Sequence, residues 1–220
     1  MEQQYFIGLK SIPWSYLFHY FKATRSLLRI YQDNFVSNIG RDFTGSVIEI
    51  GGENEYNHKA LFPKSNVFKV TNVNRTYEEY LDMTAMSLPD NSQECYLCVS
   101  VLEHVFEFEK GISEMKRTLK RGGKLIIVVP FSHPIHDEVD YWRFTPDSLK
   151  KLLDGFELET MATLGGKYST IASVLQRPKG TLTVRNFSQK VLGFIILMLG
   201  KFLEKQDGFA SGYGVCAVKK

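Results

Sequence analysis

The chain has 220 residues, with 27 Lys plus Arg against 24 Asp plus Glu and a formal net charge of +3. A length of this order suits one domain with a substantial core, and 44% hydrophobic with 23% charged residues excludes a disordered or fibrous chain. Three Cys are too few for a disulfide framework and point to a reducing, cytoplasmic setting, while +3 is too weak a charge to argue for nucleic acid.

Lys10, Pro13, His19 and Lys22 interrupt the apolar patches of the N-terminus, so no targeting segment is read there. Residues 14–39 repeat apolar side chains at three- and four-residue intervals, including Leu17, Tyr20, Phe21, Leu27, Leu28 and Tyr31. This predicts one helix or two consecutive ones. The run 46–50 (SVIEI), stopped by Gly51-Gly52, has the profile of a buried parallel strand. Further strands are expected at 67–73, 94–101 and 124–129. Between the last two, Phe108, Ile112, Met115 and Leu119 line one side of a helix over 107–119, with Gly122-Gly123 as its stop signal. A helix starts at Pro146 behind Thr145 as N-cap, and strands follow at 156–164 and 213–219. Strands alternating with helices make this an α/β fold with a mostly parallel sheet, whose ligands belong at the carboxyl ends of the strands.

Three segments carry chemistry. The strand ending Glu49-Ile50-Gly51-Gly52-Glu53 turns sharply, as glycine allows, and its backbone N–H groups suit an anion. Downstream, Asp82-Met83 opens a segment ending in Leu88-Pro89, and strand 94–101 runs into Leu102-Glu103-His104-Val105. The third segment, 130–145 (PFSHPIHDEVDYWRFT), concentrates His133, His136 and several carboxylates after a strand end. Either histidine suits a general base, oriented by Asp137 or Glu138, while Arg143 reads as structural. Cys95 and Cys98 have the spacing of a metal pair, yet an offset of three in a strand puts them on opposite faces. They read as buried thiols, and no metal site is expected.

Taken together, VSVLEHV and LKRGGKLIIVVPF resemble the class I S-adenosylmethionine-dependent methyltransferases, the type-11-like group, over residues 45–164. That resemblance implies a Rossmann-like sheet, mostly parallel with an antiparallel last strand and helices on both faces. It divides the single domain into a helical cap (1–44), an S-adenosyl-L-methionine-binding core (45–164) and a basic, apolar helical insertion with the last strand (165–220). It implies that Glu49, Gly51, Gly52 and Glu53 lie against the methionine part of the cofactor, Asn72 or Asn74 at the ribose, and Asp82 and Met83 at the adenine. Ser100, Val101 and His104 fall beside the sulfonium, and His133, His136 and Asp137 fall at the catalytic end.

Two departures stand out. The glycine loop is crowded with polar residues, and amides replace the usual ribose-binding acid. The function expected is methyl transfer to a small-molecule or carbohydrate-like acceptor. The run Asp140-Tyr141-Trp142-Arg143-Phe144-Thr145-Pro146 resembles members that modify bacterial surface polysaccharides. The alternative is a catalytically silent scaffold of the same fold.

Residues 165–220 hold nine Lys/Arg against two Asp/Glu, a local +7. Within them, 189–205 (QKVLGFIILMLGKFLEK) is helical and apolar but too short for the ~20 residues of a membrane span. It is expected to pack on the sheet or a homodimer partner, or to lie peripherally on a membrane.

Overall fold

The computed structural model describes residues 3–15, 26–53, 57–74, 79–176 and 184–220. Seven strands form one sheet: β1 (Gln3–Ile7), β2 (Ser46–Ile50), β3 (Val67–Thr71), β4 (Gln93–Val99), β5 (Leu119–Pro130), β6 (Phe156–Leu164) and β7 (Gly212–Lys219). Their spatial order is β1-β6-β7-β5-β4-β2-β3. Neighbouring strands are parallel except around β7, which runs antiparallel to both β5 and β6. The sheet is mostly parallel with an antiparallel last strand, as expected, and carries one strand more than expected, β1.

Helices cover both faces: α1 (Leu27–Gly40), α2 (Phe108–Thr118), α3 (Pro146–Leu152), α4 (Lys167–Gln176) and α5 (Val184–Leu203). The period-2 alternation of the central strands separates two cores. Tyr96, Cys98, Leu125 and Ile127 point to one face and pack with Ile112, Met115 and Leu149 of α2 and α3. On the other face Cys95, Leu97, Ile126 and Val128 pack with Tyr31 and Phe35 of α1 and Leu197 of α5. Cys95 and Cys98 thus fall in opposite cores, and burial pushes both thiols up.

Local signals explain two of the helix starts. Ser26 caps α1 by accepting from the Arg29 N–H at 3.2 Å. Thr145 and Ser148 form a reciprocal capping box on α3, with Pro146 in its first turn.

Elsewhere the fold departs from the sequence reading. Helix α2 ends at Thr118, and Leu119 is already extended. Pairing jumps from Gln93–Leu119 to Cys95–Lys124, so Gly122, at φ +77°, sits in a bulged start of β5 rather than stopping the helix. The N-terminal segment, read as a helical cap, contributes edge strand β1. Its short, half-polar QQYFI sequence is recruited by parallel pairing with β6, about 150 residues away in the chain. Helix α4 lies in the 165–220 segment read as a helical insertion, where the sequence singles out only 189–205 as a helix. Of the helical pattern over 14–39, residues 16–25, including His19, lie outside the described residues.

Candidate active site

A cavity of about 570 Å³ opens at the carboxyl ends of β2 and β4, within the range of small-molecule sites. Glu49, Gly51, Gly52, Glu53, Met83, Ser100, Val101, His104, His133, His136 and Asp137 all line it. Asp82 lines an adjoining cavity that shares Val73, Met83, His104 and Val105 with the first. Its Oδ1 is held by the Thr84 N–H and hydroxyl, both at 2.8 Å. Asn72 and Asn74 line neither of these two cavities. The Asn72 side chain donates to Gly52 O and accepts from Asn74 N–H, tying β3 to the glycine turn.

Gly51 has φ +69°, and a Cβ there would stand 2.7 Å from Val101 Cγ2. The glycine therefore serves both the turn out of β2 and the close approach of the β4 end. Among the described residues of the connection to β3, only a 3-10 turn (Lys59–Leu61) follows. The anchoring comes instead from Glu49, whose Oε1 lies 2.6 Å from His58 Nδ1 and whose Oε2 accepts the His58 backbone N–H at 3.0 Å. Asp33 Oδ1 of α1 stands 3.6 Å from the other ring nitrogen. Burial alone would lower the His58 pKa, but hydrogen bonds and charge from Asp33 and Glu49 outweigh it and raise it above the usual value.

At the end of β4, Ser100 adopts φ +53°, and its hydroxyl accepts from Gln32 Nε2 at 2.7 Å. A non-glycine residue in the left-handed region is a strained position of the kind that functional sites carry. Arg29 and Gln32, three residues apart on α1, face the cavity with Ser26 and Leu28. The helical period alone could have flagged this face, yet it marks the apolar stripe more strongly.

The histidines converge from two loops. His104 Nδ1 lies 2.5 Å from Val139 O, and His136 Nδ1 lies 3.1 Å from Asp140 Oδ2. The Arg143 guanidinium clamps Asp140 and holds its carboxyl well below the usual range. The carboxylate orienting His136 through Nδ1 is thus Asp140, four residues on, rather than the expected Asp137 or Glu138. Asp137 Oδ2 stands instead 3.8 Å from His136 Nε2 and 3.6 Å from His104 Nε2. The His133 and His136 ring centroids are 5.0 Å apart. Glu103 is fully buried and neither of its carboxylate oxygens accepts a hydrogen bond among the described residues; burial pushes its pKa up to about 8.

Comparison with known proteins agrees with this architecture. Residues 57–127 match the family described as a methyltransferase domain, a stretch that begins after the glycine turn and ends within β5. An uncharacterized protein of Methanocaldococcus jannaschii is 38% identical over 74 residues, 31% of this chain and 32% of that protein. The alignment therefore spans about a third of that relative's length. Among solved structures, a SAM-dependent methyltransferase from Archaeoglobus fulgidus aligns over 94% of this chain and 100% of its own (TM-score 0.58, 17% identity). A geranyl diphosphate C-methyltransferase from Streptomyces coelicolor A3(2), in complex with Mg²⁺, geranyl diphosphate and S-adenosyl-L-homocysteine, aligns over 87% and 79% (TM-score 0.57, 12% identity). A cyclase shares the fold over 86% and 80% (TM-score 0.54, 14% identity). The fold is that of the class I methyltransferases, as the sequence motifs implied.

Proposed function

We propose that this chain, with its class I methyltransferase fold, binds S-adenosyl-L-methionine in the cavity at the ends of β2 and β4 and methylates a small-molecule or carbohydrate-like acceptor. The observation that carries this reading is the convergence on one cavity of the glycine turn, the buried Met83, the strained Ser100 and the histidine loop. The lining also suits the group chemically. Met83, Val101 and Val105 offer an apolar wall, while Arg29, Glu53 and Asp137 offer both signs of charge to a ligand carrying both.

When bound, the cofactor supplies a methyl group on a sulfonium for in-line displacement, so placement comes first. We assign Gly51, Gly52, Glu49 and Glu53 to the methionine end; Asn72 and Asn74, expected at the ribose, line neither cavity, and either would have to swing away from the glycine turn to reach it. Asp82 accepts from the adenine amino group, and Met83 packs on the ring. Ser100, Val101 and His104 border the reacting end, where His133 or His136 takes the acceptor's proton and Asp137 stands alongside. Asp140 fixes the His136 tautomer with Nδ1–H as donor, leaving the Nε2 lone pair available. A surface-polysaccharide precursor is the acceptor class favoured by the Asp140–Pro146 run. The outward face of α5 (Leu192, Ile195, Leu199, Phe202) would meet a membrane surface, with a second copy of the chain as the other occupant.

The rival reading, a silent scaffold, draws on the 3-10 turn that follows the glycine loop. Calorimetry with S-adenosylmethionine and S-adenosylhomocysteine separates the two. Binding tighter than roughly 1 mM, about 4 kcal/mol, that is lost in a folded Asp82→Ala variant supports the enzyme. Weaker binding of both ligands leaves the scaffold.

A further inference from the structure

We propose that Glu103, His104 and His136 form a binding site for a divalent transition-metal ion at the histidine end of the cavity, with Asp137 as a fourth ligand. One ligand atom from each of the first three lies within 4.8 Å of the others. His104 Nε2 is 3.7 Å from Glu103 Oε1 and 3.6 Å from Asp137 Oδ2, and His136 Nε2 is 3.8 Å from the same Asp137 oxygen. Around a four-coordinate ion with bonds of about 2.0–2.2 Å, neighbouring ligand atoms stand about 3.3–3.6 Å apart. The three contacts through His104 and Asp137 are within a few tenths of an ångström of that spacing, while the Glu103, His104 and His136 ligand atoms span up to 4.8 Å, so binding an ion would draw these side chains together.

Three further observations point to a cation. Both rings spend Nδ1 on a hydrogen-bond acceptor, Val139 O and Asp140 Oδ2, which directs each Nε2 lone pair toward carboxylate oxygens. Lone pairs facing carboxylates repel unless a cation stands between them. The Arg143–Asp140–His136 chain also has the form of the outer-shell support that metal-bound imidazoles take. Glu103, for its part, is a fully buried side chain whose two oxygens accept no hydrogen bond among the described residues, and an ion would satisfy them. A proton, carried by an imidazole or by Glu103 itself, is the competing way to neutralise the same carboxylates.

Two imidazoles with two carboxylates suit Zn²⁺, Fe²⁺ or Mn²⁺ better than Ca²⁺ or Mg²⁺, which favour oxygen donors. Resting on the methyltransferase reading, an acceptor hydroxyl held by the ion would be more acidic. With His136 engaged as a ligand, its neighbour His133 would be left to take the proton. No sequence spacing announces such a site, because Glu103-His104 and His136-Asp137 come from different loops more than thirty residues apart.

The test is calorimetric titration of the full chain, stripped with chelator, using Zn²⁺ and Mn²⁺, with circular dichroism as the folding control. One ion per chain is expected. Binding should weaken about 100-fold in Glu103→Gln and in His136→Ala, and about 10-fold or more in Asp140→Asn, which removes only the support. No saturable binding, or binding untouched by Glu103→Gln and His136→Ala, overturns the site. S-adenosylmethionine titrated into the same chelated protein keeps the two claims apart. Cofactor binding without metal binding sinks the metal site alone, and metal binding without cofactor binding sinks the methyltransferase reading alone.

Discussion

His58 Nδ1 lies 2.6 Å from Glu49 Oε1, and both side chains are less than 5% exposed. This contact joins the end of β2 to the loop that returns toward β3, in the wall of the cavity. Its pH dependence follows from the raised His58 pKa. The folded state holds the proton more tightly than the unfolded chain, so the stabilisation is full below the unfolded value of about 6.5. It is lost as pH rises through the folded value. Urea midpoints measured from pH 6 to 9 should fall for the wild type and stay flatter for His58→Gln. Parallel profiles would refute the assignment.

Glu204 ties three distant segments together. One oxygen accepts from Leu9 N–H at 2.7 Å, and the other accepts from the Ser169 N–H and hydroxyl, both at 2.8 Å. Glu204→Ala leaves buried donors of the N-terminal turn and of α4 without an acceptor. Such a loss costs about 2–5 kcal/mol. Urea unfolding at pH 7 is the measurement, and a change below about 0.5 kcal/mol would show that water replaces the carboxylate.

Gly51→Ala is expected to lower stability by about 1–2 kcal/mol from its left-handed backbone, with a further loss from the contact with Val101. Adding Val101→Ala should recover the contact part and leave the backbone part. Strictly additive losses in the double variant would show that Val101 moves aside freely.

The membrane contact proposed for the outward face of α5 is open to direct test. No helix among the described residues is long and apolar enough to cross a membrane. Leu197 is buried and Phe194 is packed against the core, while Leu192, Ile195, Leu199 and Phe202 are about half exposed or more. Replacing Leu192, Ile195 and Leu199 by Ser should abolish flotation with anionic vesicles at low salt while leaving the fold intact. Flotation that survives the changes, or is absent from the wild type, assigns the face to protein contact. Lys201 will not contribute to lipid attraction, since it is buried and donates to Ile12 O.

Much of this architecture was readable without coordinates. Strands β2 and β6 fall on the residues expected, because a buried strand writes its apolar run and its glycine or proline stops into contiguous sequence. The α3 cap was legible for the same reason, as Thr145, Pro146 and Ser148 act over a single turn. About half of the cavity lining was legible through its motifs, at the ends of β2 and β4, in the Asp82-Met83 segment and in the histidine loop after β5. What the tertiary structure alone decided involves partners far apart in the chain. Edge strand β1 depends on pairing with β6, and the bulge that carries Gly122 depends on the register of β4. The charge partners of His58 come from α1 and β2, and Glu103 meets His136 only because two loops fold over the same strand ends. Periodicity and spacing report local geometry. Electrostatic pairing and ligand convergence are set by distances through space, which the order of residues does not carry.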